Sequence, residues 1–200
     1  AFGSEVTIVH RGDRLLREMD SDINERITEI YANRMNLFLE TEVSQIAHNE
    51  SFEINLSSGD LIVCDQLLVA TGRRPNTDSL DAAAGNIVTS PSGHIETDAY
   101  LQTSSKGVWA IGDITNPIQL KHLANADAKI VGHNLCTPDD LLPVDRSLSP
   151  SAVFGYPPIA SVGLTEKEAQ DQGVSYVVAI RPFADTAYGW AMEDRKSTRL

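Results

Sequence analysis

Apolar positions along the chain follow two different spacings, and the changes of spacing mark out its elements. In "EVTIVHR" Val6 and Ile8 alternate with polar neighbours, which predicts a strand. The preceding "AFG" reads as the last turn of a helix closed by Gly3. From Met19 to Met35, Ile23, Ile27, Ile30 and Tyr31 recur at helical steps, with Ser21 as the candidate N-cap. Short strand-like runs return in "LFLETEVSQIA", "SFEINLSS" and "LIVCDQLLVATG", with Gly59 and Asp60 at a hairpin turn. They predict a three-stranded meander feeding a last buried strand, Leu67 to Ala70.

A turn-rich stretch from Arg73 to Ser105 crosses to "GVWAIGD", which reads as another buried strand. "LKHLANADAKIVGHNL" predicts a helix with Leu123, Ala126, Ile130 and Val131 on one face. Pro138, Pro143 and Pro150 then mark a linker. Beyond it "AVFGYPPIASVGL" is strand-like, and "TEKEAQDQG" is a short helix with a Thr165–Glu168 capping box and Gly173 at its close. "VSYVVAIRPF" resumes a strand. The alternation predicts an α/β fold, with a separate α+β segment starting near residue 150.

Composition narrows the function classes. Two hundred residues with 42% apolar content can bury a core in one or two domains. A net charge of −12 argues against nucleic acid or an anionic membrane surface as partner. No apolar run reaches the roughly 20 residues of a membrane span, Asp65 interrupting the best candidate. The first residues lack the basic start and long apolar stretch of a signal peptide, so a cytoplasmic location is expected. Cys64 and Cys136 are expected to be reduced, partly buried thiols, and no C-x-x-C pair offers a metal or redox site.

"GVWAIGD" ends an apolar run on an acid, and a buried strand has little use for a terminal carboxylate unless something there needs an acceptor. Asp113 either caps the helix that follows, near Ile118, or accepts hydrogen bonds from a bound ligand. Three stretches in this order, "LLVATGRRPNT", "TSSKGVWAIGDI" and "PPIASVGLTEKEA", resemble the flavin-dependent pyridine nucleotide–disulfide oxidoreductases. The resemblance runs from Gly3 to about Asp194. It implies partial FAD- and NAD(P)-binding Rossmann-like domains with a β-meander, followed by the start of an α+β dimerisation domain. Residues 1–72 would be the later part of the NADPH domain, 73–147 a return to the FAD domain, and 148–200 the start of the dimerisation domain. The chain would then be an internal piece of a longer reductase, dimeric when complete and inactive as this piece alone. No glycine stands in a G-x-G, and that turn is expected upstream of Ala1.

In the family, the acid matching Asp113 accepts from a ribityl hydroxyl of FAD, and Gly112 lets the backbone pass close to the flavin chain. The resemblance sets Gln119, Leu120, Lys121 and His122 along the pyrimidine edge, at a helix start whose free N–H groups suit negative charge. There His122 reads as a helix-start residue rather than a base. For the nicotinamide cofactor, His10 occupies the position that is acidic in NADH-using relatives. Arg11 and Arg17 fall where NADPH-using relatives hold the 2′-phosphate, a task suited to guanidinium. NADPH is therefore expected. The alternative is that Arg11, Arg14 and Arg17 are solvated residues before the helix. Val43 would lie along the adenine, and Gly72 and Arg73 near the nicotinamide half.

No catalytic residue is assigned within the chain. The family's C-x-x-x-x-C disulfide and C-terminal His-Glu pair are not in this sequence, and His48 with Glu53 mimics the latter only by coincidence inside the meander. "LKHLANADA" and "DTAYGWAMED" are most similar to the branch that reduces the small-molecule disulfide of mycothiol. The alternatives are a glutathione, mercuric or dihydrolipoamide-type reductase, or a flavin- and nucleotide-binding module without disulfide chemistry. The polar, basic "RKSTRL" departs from the family pattern and reads as a non-native tail or a loop.

Overall fold

A computed structural model describes residues 3–116 and 118–191 of the chain, so Ala1, Phe2 and the "RKSTRL" tail lie outside the described residues. The chain divides into two compact units. One holds the residues up to Val69 together with Val153–Ile159 and the chain from Leu164; the other holds Ala70–Ala152 and Ala160–Gly163.

The first unit opens with a β-α-β crossover. Strand β1 (Thr7–Val9) runs into helix α1 (Ser21–Ala32) and returns as β2 (Asn36–Phe38), parallel to β1 with Ile8 opposite Leu37. A parallel pair needs such a crossover, and α1 buries Ile27 and Ile30 as its spacing predicts. The residue at its N-cap is Asp20 rather than Ser21. Its Oδ1 accepts the Glu166 N–H at 2.7 Å, joining two segments of the unit.

The meander forms as expected from β3 (Val43–His48), β4 (Phe52–Leu56) and β5 (Leu61–Cys64), all antiparallel. Its central strand buries Ile54 and Leu56, while β3 is exposed along its length. Gly59, at φ 93°, turns the β4–β5 hairpin.

Three expected strands do not form. Leu67 to Ala70 and the stretch from Val174 to Arg181 carry no strand pairing, and Leu68 and Val177 are 87% and 97% exposed. Their apolar pattern is genuine, but no ladder partner stands beside them among the described residues. "GVWAIGD" keeps a single bridge, Trp109 to Gln102, and then tightens into a 3-10 turn at Gly112–Ile114. "AVFGYPPIASVGL" yields two short paired strands, β6 (Ser151–Val153) and β7 (Ile159–Ser161).

In the second unit Ile95, Leu101, Ala110 and Leu123 form the core. Helix α2 (Lys121–Cys136) is where the sequence predicts it, but its buried face differs. Ala126 is exposed, and Leu123, Asp127 and Asn134 are buried. These three recur on one helical face; a purely apolar criterion misses it because two members are polar and hydrogen-bonded. Cys136, at the end of α2, is exposed and Cys64 partly buried, both free. Helix α3 (Glu166–Asp171) has the predicted capping box, and α4 (Ala187–Ala191) follows. No helix among the described residues is long and apolar enough to cross a membrane.

Candidate functional site

In the second unit the turn after "GVWAI" sets Gly112 in a left-handed conformation (φ 75°), where a Cβ would lie 3.1 Å from the Cβ of Ala124. Glycine is required here by the helix packed against the turn and by the backbone angle. The turn lifts Asp113, whose side chain is 49% exposed, onto the wall of an open concavity of about 270 Å³. Arg73, Arg74, Pro75, Asn76, Ile114 and Gln119 complete its lining. Arg73 reaches across it: Nη1 lies 3.3 Å from Asp113 Oδ2, and Nη2 donates to the Gln119 carbonyl at 3.0 Å. Asp113 is therefore held by a solvent-exposed guanidinium. It does not cap the next helix, because α2 starts at the N-cap Leu120 with no side-chain cap.

Gly112, Asp113 and Gln119 thus come together, and Leu120, Lys121 and His122 follow directly at the start of α2. Gln119 takes a left-handed backbone (φ 30°) at this junction, a conformation that costs free energy in a non-glycine residue. Lys121 and His122 are exposed. Arg73, expected near the nicotinamide half, lies against Asp113 in this concavity, and Gly72 beside it has φ 122°. Thr103 secures the preceding turn, its hydroxyl donating to the Val108 carbonyl at 3.0 Å.

In the first unit the loop after β1 carries the remaining candidates. Ligands of open α/β sheets bind beyond the carboxyl ends of the strands, which is where this loop stands. Its arginines are not equivalent. Arg14 is tied to α1, donating to Glu25 Oε1 at 2.6 Å. The Leu15 N–H adds a second tie, to Thr28 Oγ1 at 2.9 Å. Arg11 and Arg17 make no ion pair among the described residues, and both are exposed. The Arg17 stem packs over Gly12, with Cδ 2.7 Å from the place a Cβ would take, and the His10 ring closes on the same point at 2.9 Å. His10 Nε2 is buried without a hydrogen-bond partner. The Glu40 and Thr41 N–H groups donate to the carbonyls of Gly12 and His10 at 2.9 and 3.2 Å, so Val43 follows two residues after a segment bound to this loop.

A larger open cavity in the first unit, about 770 Å³, is lined by residues including Glu5, Tyr31, Asn36 and Phe154. It contains none of the candidate residues. Arg34 there is already engaged, stacked 4.6 Å over the Tyr156 ring and donating to the Tyr156 carbonyl at 3.1 Å.

One residue of chemical consequence escaped the sequence reading. Asp127, 1% exposed, accepts the Gly112 N–H on Oδ2 at 2.9 Å and pairs with Arg146. Its signal was an acid one helical turn after Leu123, on a face that has to be buried, with an arginine in the following linker.

The family described as "Pyridine nucleotide-disulphide oxidoreductase" matches residues 1–128, and its "dimerisation domain" matches residues 149–199. Mycothione reductase of Mycobacterium tuberculosis is 42% identical over 97% of the chain and 43% of its own length. The probable pyridine nucleotide-disulfide oxidoreductase RclA of Escherichia coli is 32% identical over 98% of the chain and 44% of its own length. A solved structure, the Cu(II) complex of the HOCl-induced flavoprotein disulfide reductase RclA from Escherichia coli, superposes with a TM-score of 0.87 at 31% identity. That likeness covers 98% of the chain and 45% of the RclA chain. Mercuric reductases, a glutathione reductase and dihydrolipoyl dehydrogenases also match, at 29–34% identity. The chain spans less than half the length of these first relatives.

Proposed function

Since the chain belongs to the pyridine nucleotide-disulphide oxidoreductase family, we propose that it is part of an FAD-containing, NADPH-dependent reductase of a low-molecular-weight disulfide, mycothione foremost. The observation that carries the reading is the half-exposed carboxylate of Asp113 on a concavity beside the uncapped start of α2. A polyol joined to a polar heteroaromatic ring suits this arrangement. Its hydroxyls supply the donors that an acceptor-only carboxylate lacks, and the free N–H groups at the start of α2 suit ring carbonyls and negative charge. When bound, the flavin would take hydride from the nicotinamide and pass the electron pair to a disulfide.

Asp113 would hold the ribityl chain, and Gln119 to His122 the ring edge. Arg73 has to yield Asp113 for this to happen. An exposed ion pair contributes only about 0–1 kcal/mol, against about 1.5–3 kcal/mol for a hydrogen bond to a charged group in a closed site. The exchange is therefore favourable once the ligand excludes water. NADPH preference is supported by the exposed guanidinium groups of Arg11 and Arg17, which make no ion pair among the described residues, and by the lack of an acid at His10. The proposed domain limits, 1–72, 73–147 and 148–200, follow the family order. The match to a dimerisation domain supports a homodimer, and a cytoplasmic location is proposed on the sequence expectation alone.

Substrate choice rests on the higher identity to mycothione reductase and is directly testable. The full-length protein should reduce mycothione with NADPH at a higher kcat/KM than glutathione disulfide, lipoamide or Hg(II). A preference for any of the other three would overturn the substrate, and a flavin-free preparation that cannot be reconstituted would overturn the flavin reading.

A further inference from the structure

A carboxylate sealed inside a protein has to be paired and hydrogen-bonded, because its burial is otherwise far too costly. Asp127 is the most deeply buried ionisable side chain among the described residues, at 1% exposure. Both of its oxygens are used. Oδ2 accepts the Gly112 N–H at 2.9 Å, and Arg146 Nη2 approaches Oδ1 and Oδ2 at 2.9 and 3.0 Å. Gly112 is the first residue of the turn that carries Asp113.

Arg146 is brought to this place by structure laid down along α2. Two turns after Asp127, Asn134 is 2% exposed and holds the returning chain, accepting the Leu142 N–H at 2.7 Å and donating to the Leu142 carbonyl at 3.0 Å. The Val144 N–H donates to the Ala99 carbonyl at 2.8 Å. Around Arg146 itself, the Ser147 N–H donates to Asp145 Oδ1 and Ser149 Oγ to the Arg146 carbonyl, both at 2.8 Å. A single chain of contacts thus runs from the linker, through a buried ion pair, to the backbone of the turn.

We propose that Asp127, with Arg146 as its counter-ion, is a positioning residue that fixes the Gly112–Ile114 turn so that Asp113 faces the flavin. The inference rests on the assignment of Asp113 to the flavin ribityl chain. Asp127 itself touches no ligand in this scheme. It acts through the Gly112 N–H, and Arg146, bonded to both carboxylate oxygens, holds the Asp127 side chain where it accepts that bond.

A double-mutant cycle on apo-protein reconstituted with FAD tests the idea, with FAD affinity read from quenching of flavin fluorescence. In full-length protein Asp113→Ala, Asp127→Asn and Arg146→Gln should each weaken FAD binding about tenfold or more. Arg146→Lys, which keeps the charge, should recover most of the loss. Positioning predicts non-additivity: with Asp113→Ala in place, Asp127→Asn or Arg146→Gln should cost little more. Equal losses in both backgrounds would mean a general structural role and overturn the proposal. If Asp113→Ala weakens FAD binding but neither partner variant does, positioning fails while the flavin assignment stands. If Asp113→Ala has no effect, the assignment beneath it fails. Should Asp127→Asn not fold, Arg146→Gln, at a partly exposed residue of a linker, carries the same cycle.

Discussion

Three arginines lie within seven residues of one another after β1, and their surroundings separate them. Arg14 spends its guanidinium on Glu25 at 2.6 Å, so it is a structural tie between loop and helix. Arg11 and Arg17, exposed and without an ion pair among the described residues, stand at the carboxyl end of a parallel strand, where a sugar phosphate would be received. Replacing both by alanine should raise the KM for NADPH about tenfold or more, since each 1.4 kcal/mol of lost binding is a factor of ten, and leave the KM for NADH nearly unchanged. Steady-state kinetics with both cofactors checks this, and an equal rise for NADH would point to a loop that has merely lost its shape. Replacing Arg14 should act the other way, lowering thermal stability while leaving the ratio of the two KM values alone. The residue types of this loop were legible in the sequence. Which arginine is free was not, because that depends on Glu25 and Thr28 of α1 meeting the loop in space.

Among the elements, α3 is the one whose local signals were complete. Thr165 Oγ1 accepts the Glu168 N–H at 3.2 Å, and the Glu168 carboxylate accepts the Thr165 N–H at 2.8 Å. The Thr165 backbone N–H chiefly, and its hydroxyl next, hold the Glu168 carboxyl below the usual carboxylate range. A lowered carboxyl contributes stability in full above its unfolded value and loses it as pH falls through the folded value. Thr165→Ala should therefore cost about 0.5–2 kcal/mol at neutral pH, the usual range for a lost N-cap. The difference from the parent should shrink on acidification through the carboxylate range. Denaturant unfolding at a series of pH values checks it; a pH-independent difference would assign the loss to the bond the hydroxyl accepts from the Glu168 N–H rather than to the one it donates to the Glu168 carboxylate. α1 and the meander were legible for a similar reason, since period and turn residues are local. The buried face of α2 was not. Its polar members, Asp127 and Asn134, are satisfied by Gly112, Arg146 and Leu142, all distant in sequence.

At the scale of the whole molecule, the expected strands that form no ladder among the described residues are the informative ones. Leu68 and Val69 are 87% and 68% exposed, Val177 and Ile180 are 97% and 57% exposed, and Val108 and Ile111 flank Ala110 with more than a third of each accessible. Their sequences alternate or cluster as strands do, but a strand exists only when a second one offers its N–H and C=O groups. This chain spans less than half the length of its first relatives, and further chain pairing with these segments would cover the same apolar side chains. The consequence is measurable. Expressed alone, the 200-residue chain should bind a hydrophobic fluorescent dye strongly and self-associate with rising concentration, because exposed apolar stretches with free backbone groups template pairing. The full-length protein under the same conditions should bind the dye weakly and run as a discrete oligomer. If the isolated chain proved monodisperse and silent to the dye, the exposed runs would be ordinary surface, and pairing with further chain would not be needed to explain them.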